Sequence, residues 1–135
     1  MSAKLQNKEE LKSNLKSLCL KGALSHAILI NSESDDEALS VSKYLASLLL
    51  EKNDLQSPDL TILENTDGKQ YNIENIRALR DNAFTAPLVS KYKVFIVSSL
   101  QTMPFLSQNA LLKVIEDPPE NVVFIFHFIF IFIIF

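Results

Sequence analysis

Lys93-Val-Phe-Ile-Val-Ser-Ser99, the run Phe105-Leu-Ser-Gln-Asn-Ala-Leu-Leu-Lys-Val-Ile-Glu116, the stop Asp117-Pro-Pro119 and Val122-Val-Phe-Ile-Phe126 form the stretch on which the fold turns. The first and last segments are short apolar runs of β-branched and aromatic residues, which suits strands buried on both faces. The middle segment has helical spacing, with Leu111, Leu112 and Ile115 forming a core-facing stripe, and two prolines end it. A strand, a helix and a strand joined by short connections make a parallel crossover unit.

The same alternation extends upstream. Asn7 to Leu20 reads as an amphipathic helix through Leu11, Leu15 and Leu18, with Leu5 near its start. His26-Ala-Ile-Leu-Ile30 reads as a strand. Asp35 to Lys52 reads as a helix whose first-turn acids, Asp35, Asp36 and Glu37, suit the positive end of its dipole. Leu60-Thr-Ile-Leu63 is a further strand. Asn72 to Phe84 is a further helix, striped by Ile73, Ile76, Leu79, Ala83 and Phe84. The expected architecture is an α/β fold: a parallel sheet of about four strands with helices on both faces. In such sheets ligands bind at the carboxyl ends of the strands. That directs attention to Asn31–Leu39, to Ser98–Met103 and to the loop after the last strand.

Composition narrows the function classes. The chain has 135 residues, a net charge of −3 and 47% apolar residues, which fits one domain and no strongly basic nucleic-acid surface. One cysteine, Cys19, leaves no disulfide framework and no multi-thiolate zinc site, so no metal is expected. Cys19 reads as a small core residue and His26 as a packing or hydrogen-bonding one. The polar start, without an apolar signal region, leads to the expectation of a cytoplasmic protein. No nucleophile–base–orienter set is visible, so no catalytic residue is assigned.

The Asn109–Pro119 block, following the strand Lys93–Val97, resembles the helix after the Walker B strand in bacterial clamp-loader ATPase-like subunits of DNA polymerase III. Leu24-Ser-His-Ala-Ile-Leu-Ile30, Ser57-Pro-Asp-Leu60, Ile73 to Arg80, Pro87 and Tyr92-Lys-Val94 match in the same order. The resemblance covers about Leu24 to Ile125 and implies an AAA+ (P-loop-NTPase-like) domain of the delta-prime branch. In that family such a subunit works with gamma/tau-like and delta-like subunits to load a sliding clamp onto primed DNA. The complex as a whole carries DNA polymerase activity.

Nucleotide-binding members of the family have a glycine-rich phosphate loop after the first strand. Here the corresponding residues are Asn31, Ser32, Glu33, Ser34, Asp35, Asp36, Glu37, Ala38 and Leu39. Ala38 falls at the lysine position and Leu39 at the Ser/Thr position. With four acids in the five residues Glu33–Glu37, no glycine and no cation, the loop repels a triphosphate. A pair of like charges ~4 Å apart costs about 4 kcal/mol at an effective dielectric of 20. A helix terminus offers only ~0.3–1 kcal/mol in return. Ser98 and Ser99 stand where a Walker B strand carries acids. The expectation is a degenerate site with no cofactor and no catalysis of its own.

The family's cysteine zinc module has no counterpart in the short Leu48–Ser57 segment. Its Ser-Arg-Cys arginine-finger motif has none either, and Arg77 and Arg80 do not match it. Asn109, Lys113 and Glu116 share a helix face, and the resemblance makes that face a possible subunit contact. A divergent NTPase and a free-standing interaction module are the alternative readings.

The last fourteen residues, Val122–Phe135, are apolar except for His127 and hold six of the nine phenylalanines. Fourteen residues fall short of the ~20 a membrane helix needs. They also lack the polar, basic face of a surface helix. The expected division is a domain over 1–126, truncated before the family's fifth strand and lid. An apolar tail would then cover 127–135, from a shifted frame or an aberrant terminus.

Overall fold

A computed structural model describes residues 2–4, 8–51, 56–65 and 71–129. The elements in chain order are β1 (Ser2–Lys4), α1 (Lys8–Leu20), β2 (Ala27–Ser32), α2 (Asp35–Leu50), β3 (Leu60–Leu63) and α3 (Ile73–Ala83). They continue with β4 (Lys93–Val97), a 3-10 turn (Leu100–Thr102), α4 (Phe105–Glu116) and β5 (Val122–Ile129). The strands form one sheet in the order β1-β2-β5-β4-β3, every pairing parallel.

The order explains the layering. From β1 to β3 the chain travels one way across the sheet, and from β3 to β5 it travels back. A right-handed crossover places its helix on a face set by the direction of travel. Accordingly α1 and α2 share one face, where Ile28, Ile30, Val94, Ile96, Val123 and Ile125 meet Val41, Leu45 and Leu49. On the other face α3 and α4 cover Phe95, Val97, Phe124 and Phe126 with Ile76, Leu79, Leu111 and Val114. Phe95, Phe124 and Phe126 stack across the middle of this second core, with centroids 5.0 Å and 5.8 Å apart.

Helix ends follow local chemistry. Ser34 caps α2, its hydroxyl accepting from the Glu37 amide at 3.4 Å, and the helix closes on Glu51 in the left-handed region. Asn72 caps α3 by accepting from the Glu74 amide at 2.9 Å.

Four expectations are corrected. The sheet has five strands among the described residues, not four: Ser2–Lys4 adds an edge strand beside Leu29–Asn31. Three residues are too few to show an alternating pattern in sequence. Second, β5 runs to Ile129, three residues past the strand end expected near Phe126. The run of apolar residues that hid this boundary is what a strand covered on both faces requires. Residues 130–135 lie outside the described residues. Third, Phe84 is 60% exposed, because α3 ends at Ala83 and the chain turns away. Fourth, Leu112 is 48% exposed, while Ser107 and Ala110 take the inward positions of α4.

Candidate functional site

The carboxyl ends of β2, β4 and β5 meet above the sheet, where β2 leads to a helix on one face and β4 to a helix on the other. Asn31 and Ser32 end β2, and Ser34 to Glu37 open α2. Ser32 Oγ accepts from the Ser34 amide at 3.2 Å and donates to Glu37 Oε2 at 3.4 Å. With the Ser34 cap on Glu37 and the Ala38 amide bonded to the Ser34 carbonyl at 3.1 Å, two amides at the mouth of α2 already have partners within the loop. Asp36 and Glu37 face solvent. Ala38 is 1% exposed and sits in the core below α2, while Leu39 packs against the same core.

Ser98 and Ser99 follow β4 and are both buried. Ser98 Oγ donates to the Leu63 carbonyl at 3.2 Å. The Tyr71 hydroxyl bonds the Ser98 carbonyl and also reaches Leu63 O at 3.2 Å. Burial foremost, with the charges of Glu64 and Asp35, pushes the Tyr71 phenol up against the lowering effect of its bond to Ser98, so it stays a donor. Ser99 takes a left-handed conformation (φ 51°, ψ 50°) and starts the 3-10 turn. The two hydroxyl residues therefore brace the crevice from below.

The structure adds a residue that sequence reasoning placed in the tail. His127, level with Ile30 across the β2–β5 pairing, is 1% exposed. Its Nδ1 lies 3.8 Å from Asp35 Oδ1, too far for a hydrogen bond, and neither ring nitrogen has a partner. Burial pushes the imidazole pKa down, more than Asp35 and Glu64 raise it. The signal available in sequence was the single polar residue in a strand-like apolar run.

Asn109, Lys113 and Glu116 all lie on the exposed side of α4, one shared face as their spacing implies. Arg77 and Arg80 are occupied by Glu74 (3.3 Å) and Asp81 (3.1 Å). His26 Nε2 lies 3.0 Å from the Ile115 carbonyl, tying the start of β2 to the end of α4. Cys19 packs against the α1–α2 core, and burial, then Glu51, raise its pKa.

Away from the crevice, Asp59 is 1% exposed and receives three backbone amides: Leu88 at 2.6 Å, Ser90 at 2.7 Å and Val89 at 2.8 Å. Burial alone would raise its pKa. The three amides and nearby Lys93 outweigh that and hold it below the usual carboxylate range. Lys93, itself buried, donates to the Asn82 carbonyl at 2.9 Å and the Thr85 carbonyl at 3.1 Å. Among the described residues no three His, Cys, Asp or Glu side chains are grouped to hold a metal. None of the described helices is long and apolar enough to cross a membrane.

A family profile described as DNA polymerase III, delta subunit, matches residues 7–129. The chain belongs to that family. This delta-family chain is 40% identical over 67 residues to the DNA polymerase III subunit gamma/tau of Mycobacterium bovis, covering 50% of the chain and 12% of that protein. It is 25% identical over 119 residues to the gamma subunit of Buchnera aphidicola from Acyrthosiphon pisum, covering 77% of the chain and 33% of that protein. A gamma subunit-related protein of Thermotoga maritima superposes with a TM-score of 0.73 at 28% identity, over 87% of this chain and 38% of that one. The delta-family chain thus spans about a third or less of the two curated relatives' length. It is a clamp-loader-family subunit sequence with the α/β fold of that family.

Proposed function

We propose that this delta-family chain is a delta-prime-like subunit, giving structure rather than ATP chemistry to a clamp loader. In this reading it is a cytoplasmic protein that assembles with gamma/tau-like and delta-like subunits. Through them it meets the sliding clamp and primed DNA. The observation that carries the reading is Ala38: the position that corresponds to the phosphate-loop lysine is an uncharged side chain sealed in the core. A cradle for phosphate needs free amides, close backbone approach and a cation. Residues 31–39 contain neither glycine nor lysine nor arginine, and the loop's own hydroxyls cap α2. Ser98 supports the same reading, because its hydroxyl, bonded to the neighbouring strand, cannot orient magnesium as a carboxylate does.

The similarity to gamma/tau subunits speaks for common descent, while the loop chemistry speaks against a shared ATP site. Calorimetric titration of the full chain with magnesium-ATP separates the two. The expected result is no heat of binding up to millimolar nucleotide, and magnesium-dependent micromolar affinity would overturn the reading. Capture by immobilised gamma/tau and delta subunits is the positive arm, and failure to bind either counts against a place in the assembly.

A further inference from the structure

Two apolar surfaces are incompletely covered among the described residues. The first is a prong, residues 84–92, between α3 and β4. Its Phe84, Leu88 and Val89 are 60%, 76% and 60% exposed. The backbone beneath them is fixed from inside: Asp59 holds the amides of Leu88, Val89 and Ser90, and Lys93 holds the carbonyls of Asn82 and Thr85. A loop set in this way presents its apolar side chains before any partner arrives, so binding costs little further ordering. The second surface is a groove of about 550 Å³ between α4 and the β2–β5 half of the sheet. Leu29, Phe126 and Phe128 form its floor, and Leu112 and Ile115 its wall. Leu29 and Ile115 are only partly buried and Leu112 is half exposed.

The two surfaces also match in charge. Residues 84–92 carry one charge, the exposed Lys91. At the foot of the groove, where α4 ends, Ile115-Glu-Asp-Pro-Pro-Glu120 holds three exposed acids and no base. The negative end of the α4 dipole lies at the same place. The one base of α4, Lys113, stands a turn earlier. Prong and groove occupy different parts of the molecule. Asp59 and Lys93 tie the prong to the amino ends of β3 and β4, while the groove lies on the β2 side of β5. A chain therefore cannot seat its own prong in its own groove.

We propose that this chain associates with a second copy of itself, the prong of one molecule seating Phe84, Leu88 and Val89 in the groove of the next, with Lys91 meeting Glu116 and Asp117. The occupant is a second copy because both halves of the contact, apolar against apolar and basic against acidic, are carried by this one chain. The contact joins two different patches and is heterologous. A few side chains cover far less than the ~800 Å² that a stable interface takes from each partner, so association is weak and grows with concentration. It stands independently of any place in a clamp loader.

Sedimentation equilibrium of the full chain, from micromolar to millimolar concentration, tests this. The unmodified chain is expected to rise in average mass with concentration. Leu88→Gln disables the prong and Leu112→Gln the groove, and both side chains are exposed, so the fold is kept. Each variant alone should stay monomeric where the unmodified chain associates. Mixed together they should form one-to-one pairs, because the intact prong of one meets the intact groove of the other. An unmodified chain that stays monomeric throughout overturns the proposal. So does a single variant that associates as the unmodified chain does, and so does a mixture that stays monomeric. As a second measurement, Lys91→Glu should weaken association several-fold, and adding Glu116→Lys and Asp117→Lys to the same chain should restore it. Failure of that reversal to rescue association would also overturn the contact.

Discussion

His127 shows how much can hang on a single side chain. It is buried on a central strand with both nitrogens unpartnered, and burial holds its folded-state pKa below the ordinary value. An unfolded histidine titrates near ~6.5. Below that pH the unfolded chain takes up a proton that the folded chain resists, so stability is full above the unfolded value and falls as pH drops past it. Urea denaturation of the full chain should give a clear loss between pH 7 and pH 5. The His127→Gln variant should flatten that slope, and an unchanged slope would show that the acid sensitivity arises elsewhere. In sequence His127 looked like the first residue of an irregular tail. Its position in register with Ile30 is a tertiary fact that no local pattern encodes. Ala38, by contrast, was legible: the missing lysine could be read directly, and the structure adds only that the position is sealed.

At the scale of elements, the segment between α3 and β4 has an unusual construction. Phe84, Leu88 and Val89 are well exposed, yet the backbone beneath them is fixed by two buried charges, Asp59 from the turn before β3 and Lys93 from the start of β4. Charge-assisted bonds to backbone amides are stronger than neutral ones, and the loss of a buried partner leaves the others unsatisfied. Asp59→Ala is therefore expected to cost about 3 kcal/mol in denaturant unfolding. The same change should speed amide exchange at Leu88, Val89 and Ser90, while exchange in β2 stays slow. A uniform rise in exchange across the sheet would instead mean global destabilisation. The residues Ser57-Pro-Asp-Leu60 were visible in sequence only as one of the ordered matches to the family. Their role was not, because the amides they bind lie about thirty residues away.

On the scale of the whole molecule, the alternation of strands and helices was legible almost to the residue, since each strand is a short apolar run and each helix carries its stripe. What escaped was everything decided by neighbours at a distance: the edge position of Ser2–Lys4, the continuation of β5, and the outward turn of Leu112. In the assembly proposed above, the exposed side of α4 with Asn109, Lys113 and Glu116 would be the face that meets a partner. Rim charges at interfaces govern rate and specificity more than fold stability. Lys113→Glu is thus expected to weaken capture by gamma/tau or delta subunits about tenfold, roughly 1.4 kcal/mol, with the melting temperature unchanged. Equal binding by the variant would move the contact to another face.

The strand order also sets a timetable. β2 pairs along its whole length with β5, whose partners lie roughly 100 residues further along the chain. During synthesis α1, β2 and α2 emerge long before β5 exists, and β3 and β4 follow before the strand that joins the two halves. Until that last, most apolar strand leaves the ribosome, β2 and β4 each present an open edge. Until β5 is in place the two halves of the sheet have no strand in common, so closure of this sheet waits on the pairing of β5 with both β2 and β4.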